Sequence, residues 1–324
     1  MKIRGSDVVS WLEHGQLPAG SGLRAARLAR VLPDPDDWPR FADRLFLWLG
    51  VLSLAFAVIF FIAYNWQGLG RFAKFALVEA ALIVAALAAW RFGLDRLAGQ
   101  AALFAAALLV GALLALVGQT YQTGADTYEL FSAWAIAVLP LALLAGMPAL
   151  WLLLLLLVDL AIVTYFQTFH GVLWAFALTK DPMPWTLFGF NAAALVAWEA
   201  GGHWLDWLRA QWARRCVAFA SGAAAAMLAV TGAIDDRVSI ATLAAWGAWT
   251  AAAYVWFRHR RPDLFVLAGG VLGAVVVLAV WLSRGLLASG SDEAGALLLI
   301  GLLVIGLSAA GSLWLRAVAK DLHA

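Results

Sequence analysis

Residues 117–134, VGQTYQTGADTYELFSAW, form a short polar stretch, the polar island, between two long apolar runs. The flanking runs cover residues 99–118 and 128–146, and each is close to the roughly 20 residues that a helix needs to cross a bilayer core of about 30 Å. The runs are continuous rather than alternating, which predicts membrane-spanning helices and not strands. The polar island then lies at a membrane surface.

The composition of the whole chain agrees with a membrane protein. Of its 324 residues, 64% are hydrophobic and 13% are charged, whereas a soluble protein carries roughly 25% charged residues. A net charge of +2 from scattered basic residues argues against nucleic-acid binding. The single cysteine, Cys216, excludes an internal disulfide and a cysteine-based zinc site.

Ten apolar runs follow a polar head of 44 residues, which predicts an all-α, polytopic transmembrane helical bundle of about ten spans. The sixth run has the weakest pattern, because Asn191 and Glu199 interrupt it. The runs cover residues 45–64, 72–90, 99–118, 128–146, 148–166, 185–200, 217–234, 238–257, 264–283 and 294–315.

The head, residues 1–44, is predicted to be a short helical hairpin, because Ser6 and Ser21 each stand where a helix N-cap is expected. Its second helix has an apolar side and a stripe of arginines (Arg24, Arg27 and Arg30). These arginines are either solvated or in contact with anionic lipid. Alternatively, the head binds a protein partner.

Lys and Arg residues concentrate in the head, the tail and alternate loops, so the positive-inside rule predicts that both termini are cytoplasmic. This orientation places residues 64–68, the polar island and residues 167–184 on the outer face. The basic stretches 213–215 and 258–263 are then inner-face charges that hold the orientation.

Polar residues at the outer face are the candidate ligand-binding site. In the functional interpretation they line an outward-facing polar pocket. In the structural interpretation Asp126 and Glu129 are the N-cap and N3 residues of a capping box, Gly124 makes the turn, and the tyrosines lie at the membrane interface. The candidates are Asn65, Gln67, Gln119, Tyr121, Gln122, Asp126 and Glu129.

Two ionisable residues within the spans are the candidates for a buried charge, Glu79 and Asp159. A charge at the centre of a span costs at least about 2.5–3.5 kcal/mol, so such a residue should face the bundle interior. Asp159 is either a proton site or a protonated acid bonded to another helix. His170 and His203 fall on opposite sides of the membrane, so the sequence predicts neither a metal site nor a cofactor.

The order of three motifs resembles DUF2157, a family of predicted bacterial membrane proteins. The motifs are WLEHGQLP (11–18), YNWQGLGRFAKF (64–75) and GQTYQTGADTYELFSAW (118–134), and the resemblance covers roughly residues 8–150. It implies a protein of the bacterial inner (plasma) membrane with no established activity or catalytic residues. The chain would then comprise the head (1–44), a four-span unit (45–147) and a six-span unit (148–324).

Three functions are compatible with these features. The favoured one is a transporter-like protein with the outward pocket and with Asp159 or Glu79 as a coupling site. The second is a non-catalytic envelope sensing or scaffold protein that docks a partner through its head. The third, a membrane enzyme using Asp126 and Glu129 as an acid–base pair on a lipid-linked substrate, is the least favoured, so we expect a protein that is not an enzyme.

Overall fold

The computed structural model describes residues 20–28, 37–169, 182–234, 239–288 and 293–323, with the single positions 11, 14, 16 and 18. Within these ranges the chain forms helices and no strands. The helices are α1 (Gly22–Leu28), α2 (Asp37–Tyr64), α3 (Arg71–Phe92), α4 (Leu97–Tyr121), α5 (Thr127–Ala145), α6 (Pro148–Thr168), α7 (Pro182–Gly201), α8 (Gln211–Ile234), α9 (Ile240–Val255), α10 (Leu264–Ala288) and α11 (Glu293–His323).

Nine of the described helices, α2 to α6 and α8 to α11, are long and apolar enough to cross a membrane. The remaining long helix, α7, corresponds to the sixth apolar run, in which Asn191 and Glu199 replace apolar residues. The prediction of an all-α polytopic bundle of about ten spans is confirmed. The protein is therefore a multi-pass membrane protein.

The chain divides into two compact units, Met1–Thr120 and Tyr121–Ala324. In the first unit, α2 packs against α3, and Ile62, Val78 and Leu116 bring α2, α3 and α4 together in a small core. The domain boundaries predicted from the sequence, after residues 44 and 147, stay predictions.

Helix α8 is the centre of the second unit. It packs against α7, α9 and α10, and α10 packs in turn against α11, while α5 and α6 form a closely packed pair. The buried face of α8 is built largely from alanine, including Ala213, Ala225 and Ala229. Small side chains let membrane helices approach closely, which explains why three neighbours can share this one helix.

The π-helical turn Trp256–Arg260 ends α9, and the 3₁₀ turn Asp206–Arg209 precedes α8. Both turns lie at the same end of the second unit, because they join the antiparallel helices that meet there. Phe257 of the π-helical turn is buried in a core with Trp198, Val217 and Leu267. This end of the unit is therefore anchored by packing as well as by the charged groups described next.

Candidate functional site

Asp159 and Asn191 form a polar pair within the bundle. Asp159 lies near the middle of α6 and Asn191 near the middle of α7. The Asn191 side-chain amide donates one hydrogen bond of 2.7 Å to Oδ1 of Asp159 and another of 3.1 Å to the carbonyl oxygen of Leu187. Asn191 is 5% exposed and Asp159 is partly buried, so the pair joins the two helices at a largely enclosed position.

The register of α6 explains why Asp159 meets α7. Trp151, Leu152 and Leu155 of α6 pack against a core that contains Leu195 of α7. Asp159 follows Leu155 by four residues and therefore lies on the same face of the helix. It is the only Asp, Glu, Lys, Arg or His residue in α6. Asn191, which weakens the apolar pattern of α7, donates the hydrogen bond that Asp159 accepts.

A second cluster, the arginine–carboxylate network, consists of Glu199, Arg214, Arg215, Arg261 and Asp263. Arg215 Nε lies 3.0 Å and Arg214 3.4 Å from Oδ2 of Asp263. Glu199 lies 3.8 Å from Arg214 Nε and 3.5 Å from Arg261 Nε. The network therefore links α7, the start of α8, the turn after α9 and the start of α10.

The carboxylates of this network are buried. The Asp263 side chain is 0% exposed and the Glu199 side chain 8%. Glu199 also accepts a 3.0 Å hydrogen bond from the Trp256 indole N–H, and Asp263 accepts one of 3.0 Å from the backbone N–H of Phe265 in the first turn of α10. The arginines of the two basic stretches thus neutralise buried acids on distant segments.

Asp263 lies between two candidate spans, and two opposing effects act on its pKa. Burial alone raises the pKa of Asp263. The hydrogen bond and charge of Arg215, the Phe265 N–H and the Gln211 side chain act in the opposite direction and hold the pKa below its ordinary value. Asp263 is therefore a carboxylate at neutral pH, as its two arginine neighbours require.

The polar island has a clear structural role at its second half. Asp126 and Glu129 form a capping box at the start of α5, in which the Asp126 N–H donates a 3.2 Å hydrogen bond to Oε2 of Glu129. Gly124 has a φ of +68° and Gln122 a φ of +46°, so the chain turns between α4 and α5 at these residues. The capping box and the glycine turn predicted from the sequence are confirmed.

Part of the chain matches a known protein family. Residues 10–151 match DUF2157, described as a predicted membrane protein. The match confirms the resemblance seen in the three motifs. The DUF2157 segment ends at the start of α6, so it contains the polar island but neither the Asp159–Asn191 pair nor the arginine–carboxylate network. No curated protein and no solved structure matches the chain.

Within the DUF2157 segment, the other residues predicted to line the outward-facing pocket either form a local hydrogen bond or are exposed. The Asn65 side chain donates a 2.9 Å hydrogen bond to the carbonyl oxygen of Phe61 at the end of α2, and Gln67, Gln119 and Tyr121 are exposed. Asn65, Gln67 and Gln119 belong to the first unit and the other candidates to the second. The outward-facing pocket therefore stays a prediction.

Glu79, also in the DUF2157 segment, lies on an exposed face of α3 rather than in the interior. The buried face of α3 is set by Lys74, Val78 and Ala89, and a residue next to Val78 is turned about 100° away from that face. Lys74, which no sequence pattern singles out, is buried, and its Nζ lies 3.4 Å from the centre of the Trp66 ring. A basic residue eight positions after a tryptophan gives no signal of this contact.

His170 and His203 are the histidines that the sequence places on opposite sides of the membrane. His203 is exposed in the turn after α7, and His170 lies outside the described residues. Among the residues that the structure describes, no group of three or more His, Cys, Asp or Glu side chains could hold a metal ion.

Replacing Asp126 by alanine should lower the stability of the protein by about 0.5–2 kcal/mol, because the first turn of α5 loses its cap. Replacing it by asparagine should have little effect, because asparagine caps a helix as well as aspartate does. Thermal unfolding of the two variants in the same detergent measures the difference. Equal losses from both variants would show that the charge of Asp126, and not its capping geometry, matters.

Proposed function

We propose that this protein is a transporter-like protein of the bacterial inner membrane in which Asp159 binds and releases a proton as a small solute or ion crosses. The 2.7 Å hydrogen bond between Asn191 and Asp159 inside the bundle carries the proposal. Ionisable residues within spans are costly, and they commonly mark ion or proton pathways.

An asparagine is a suitable partner for a carboxyl group that changes its protonation state. Its NH₂ group donates to a carboxylate, as it does here, and its carbonyl oxygen can accept a hydrogen bond from a protonated acid. A rotation of the Asn191 amide would therefore keep the pair bonded in both states. A cationic partner would instead favour the charged form alone.

The distribution of Lys and Arg supports cytoplasmic termini, which places the arginine–carboxylate network at the cytoplasmic end of the second unit. In this orientation Asp159 lies near the middle of the membrane. The capping role of Asp126 and Glu129 argues against an enzyme that would use them as an acid–base pair. We therefore propose no catalytic function.

Flux measurements in proteoliposomes test this function. The purified protein is reconstituted with a trapped pH indicator and exposed in turn to a panel of inorganic ions, amino acids and osmolytes. We expect at least one of these to change the internal pH with the wild type and with Glu79→Gln, but not with Asp159→Asn. Proton movement that persists in Asp159→Asn, or its absence from the wild type with the whole panel, would contradict the proposal.

A second function, a sensing or scaffold role, is supported by two exposed apolar residues of α1. Leu23 and Leu28 are 65% and 80% exposed, and they flank the exposed Arg24 and Arg27 on one side of the helix. Such a surface is suited to a protein partner. Cross-linking in cells followed by purification should recover a partner with the wild type and lose it with the Leu23→Ser, Leu28→Ser variant, whereas Ala25→Ser, on the less exposed side of the helix, serves as the matched control. Recovery of the same proteins with all three would exclude this docking face.

A further inference from the structure

The second unit contains an apolar cavity of about 710 Å³ between α8, α9 and α10. This volume falls within the roughly 300–1,000 Å³ that is typical of sites for small molecules. Helices α9 and α10 both pack against α8 but make few contacts with each other, and this separation leaves the gap. The cavity is distinct from the Asp159–Asn191 pair, because neither residue lines it.

Glycine residues on all three helices face this gap. Gly222 belongs to α8, Gly247 to α9, and Gly270 and Gly273 to α10. A Cβ atom added to any of these four would have no heavy atom within 4 Å. No neighbouring helix therefore uses these glycines for close packing, and the space beside them is free for an occupant.

The cavity extends along the helices for about the depth of one lipid leaflet. On α10 its lining runs from Phe265 to Val276, which is about 16 Å at 1.5 Å per residue. Half of a hydrocarbon core of about 30 Å is close to this length. Both residues are also exposed, by 52% and 45%, so the cavity is open to the outside of the unit.

Positive charge is present at one end of the cavity. Phe265 lies at this end, and the Arg215 guanidinium lies 5.4 Å from the centre of its ring. The Arg215 side chain is 37% exposed, more than that of Arg214 or Arg261. The network as a whole has three arginines for two carboxylates, so a positive charge remains where the apolar cavity meets the polar end of the unit.

From this arrangement we infer that the cavity binds an anionic phospholipid, with one acyl chain between α9 and α10 and the phosphate beside Arg215. The apolar walls match an alkyl chain, the length of the cavity matches one leaflet, and the excess positive charge lies where the headgroup of that lipid would be. A neutral lipid would fit the same apolar cavity but would leave the excess positive charge of the arginine–carboxylate network without a negative partner.

Native mass spectrometry of the full-length protein tests this inference. The detergent-purified protein is incubated with phosphatidylglycerol or with phosphatidylcholine that carries the same acyl chains. We expect one retained phosphatidylglycerol per protein and about tenfold less phosphatidylcholine. Gly247→Leu and Gly273→Leu, which fill the cavity from opposite walls, should each weaken phosphatidylglycerol binding by about tenfold, because the side chain displaces buried methylene groups of the lipid.

Two further variants separate an effect on lipid binding from an effect on folding. Gly50→Leu adds the same side chain to open space in the first unit and should leave binding unchanged. The Gly247→Ala, Gly273→Ala variant adds only two Cβ atoms and should favour the helices, so it reports on binding even if a leucine variant does not fold. Full phosphatidylglycerol binding by the folded cavity variants, or equal retention of both lipids by the wild type, would overturn the inference.

Discussion

Replacing Asp263 by alanine should lower the free energy of unfolding by about 3–5 kcal/mol, because removing one partner of a buried ion pair leaves the other charge uncompensated. Asp263 has no exposed side-chain surface and neutralises both Arg214 and Arg215. It also accepts the Phe265 N–H at the start of α10. The variant therefore loses a charge pair and a helix cap at the point where four segments meet. Thermal and denaturant unfolding in one detergent measures the loss.

Asp321 provides the matched control. It also pairs with an arginine, since Arg258 lies 2.7 Å from its Oδ2, but its side chain is 64% exposed. An exposed ion pair contributes about 0–1 kcal/mol, so Asp321→Ala should change stability only slightly. Similar losses from the two alanine variants would mean that burial does not determine the strength of the network.

The pH dependence of stability gives an independent check on Asp263. Because folding lowers the pKa of Asp263, its contribution to stability is fully present above the unfolded-state pKa of about 3.9. The contribution is lost as the pH falls through the lower pKa of the folded state. Stability should therefore fall more steeply in acid for the wild type than for Asp263→Asn, and parallel curves would contradict this.

Asp159→Asn should abolish proton-coupled flux without unfolding the protein. The amide that this substitution introduces can still form one hydrogen bond with the Asn191 amide, so α6 and α7 keep their contact while the titratable group is gone. The direct measurement is flux in proteoliposomes beside thermal unfolding in detergent. A variant that loses flux only because it is unfolded would fail the second measurement.

Exchanging Asp159 and Asn191 tests whether the function requires an Asp–Asn pair in either order or a carboxyl group at position 159 itself. The Asp159→Asn, Asn191→Asp variant restores one carboxyl group and one amide between the same helices, with the carboxyl group now on α7. We expect it to recover part of the flux that Asp159→Asn loses. If the exchanged variant is as inactive as Asp159→Asn although it folds, the function would require the carboxyl group on α6 itself.

The features that could be predicted from the sequence depend on residues close together in the chain. The spans follow from runs of apolar residues, and the capping box follows from the three-residue spacing of Asp126 and Glu129. Both are set by local geometry, and the structure agrees with both. The three DUF2157 motifs are likewise short stretches of consecutive residues, and all lie within residues 10–151.

The features that could not be predicted depend on contacts between distant segments. From the sequence alone, Asn191 is only an interruption of an apolar run, because its partner lies 32 residues earlier. Arg214 and Arg215 resemble ordinary inner-face charges in the sequence, because Asp263 lies 49 and 48 residues away. The exposure of Glu79 depends on which face of α3 is buried, and a nearly uniform apolar helix gives little indication of this.

The most direct test of proton exchange at Asp159 is infrared difference spectroscopy of the protein in lipid during a pH titration. It requires no knowledge of the transported solute. We predict that the carbonyl stretch of protonated carboxylic acids changes with pH in the wild type, and that the component due to Asp159 is missing from the Asp159→Asn spectrum but present in that of Glu79→Gln. A spectrum in which Asp159→Asn shows the same titrating band as the wild type would contradict the claim that Asp159 exchanges a proton.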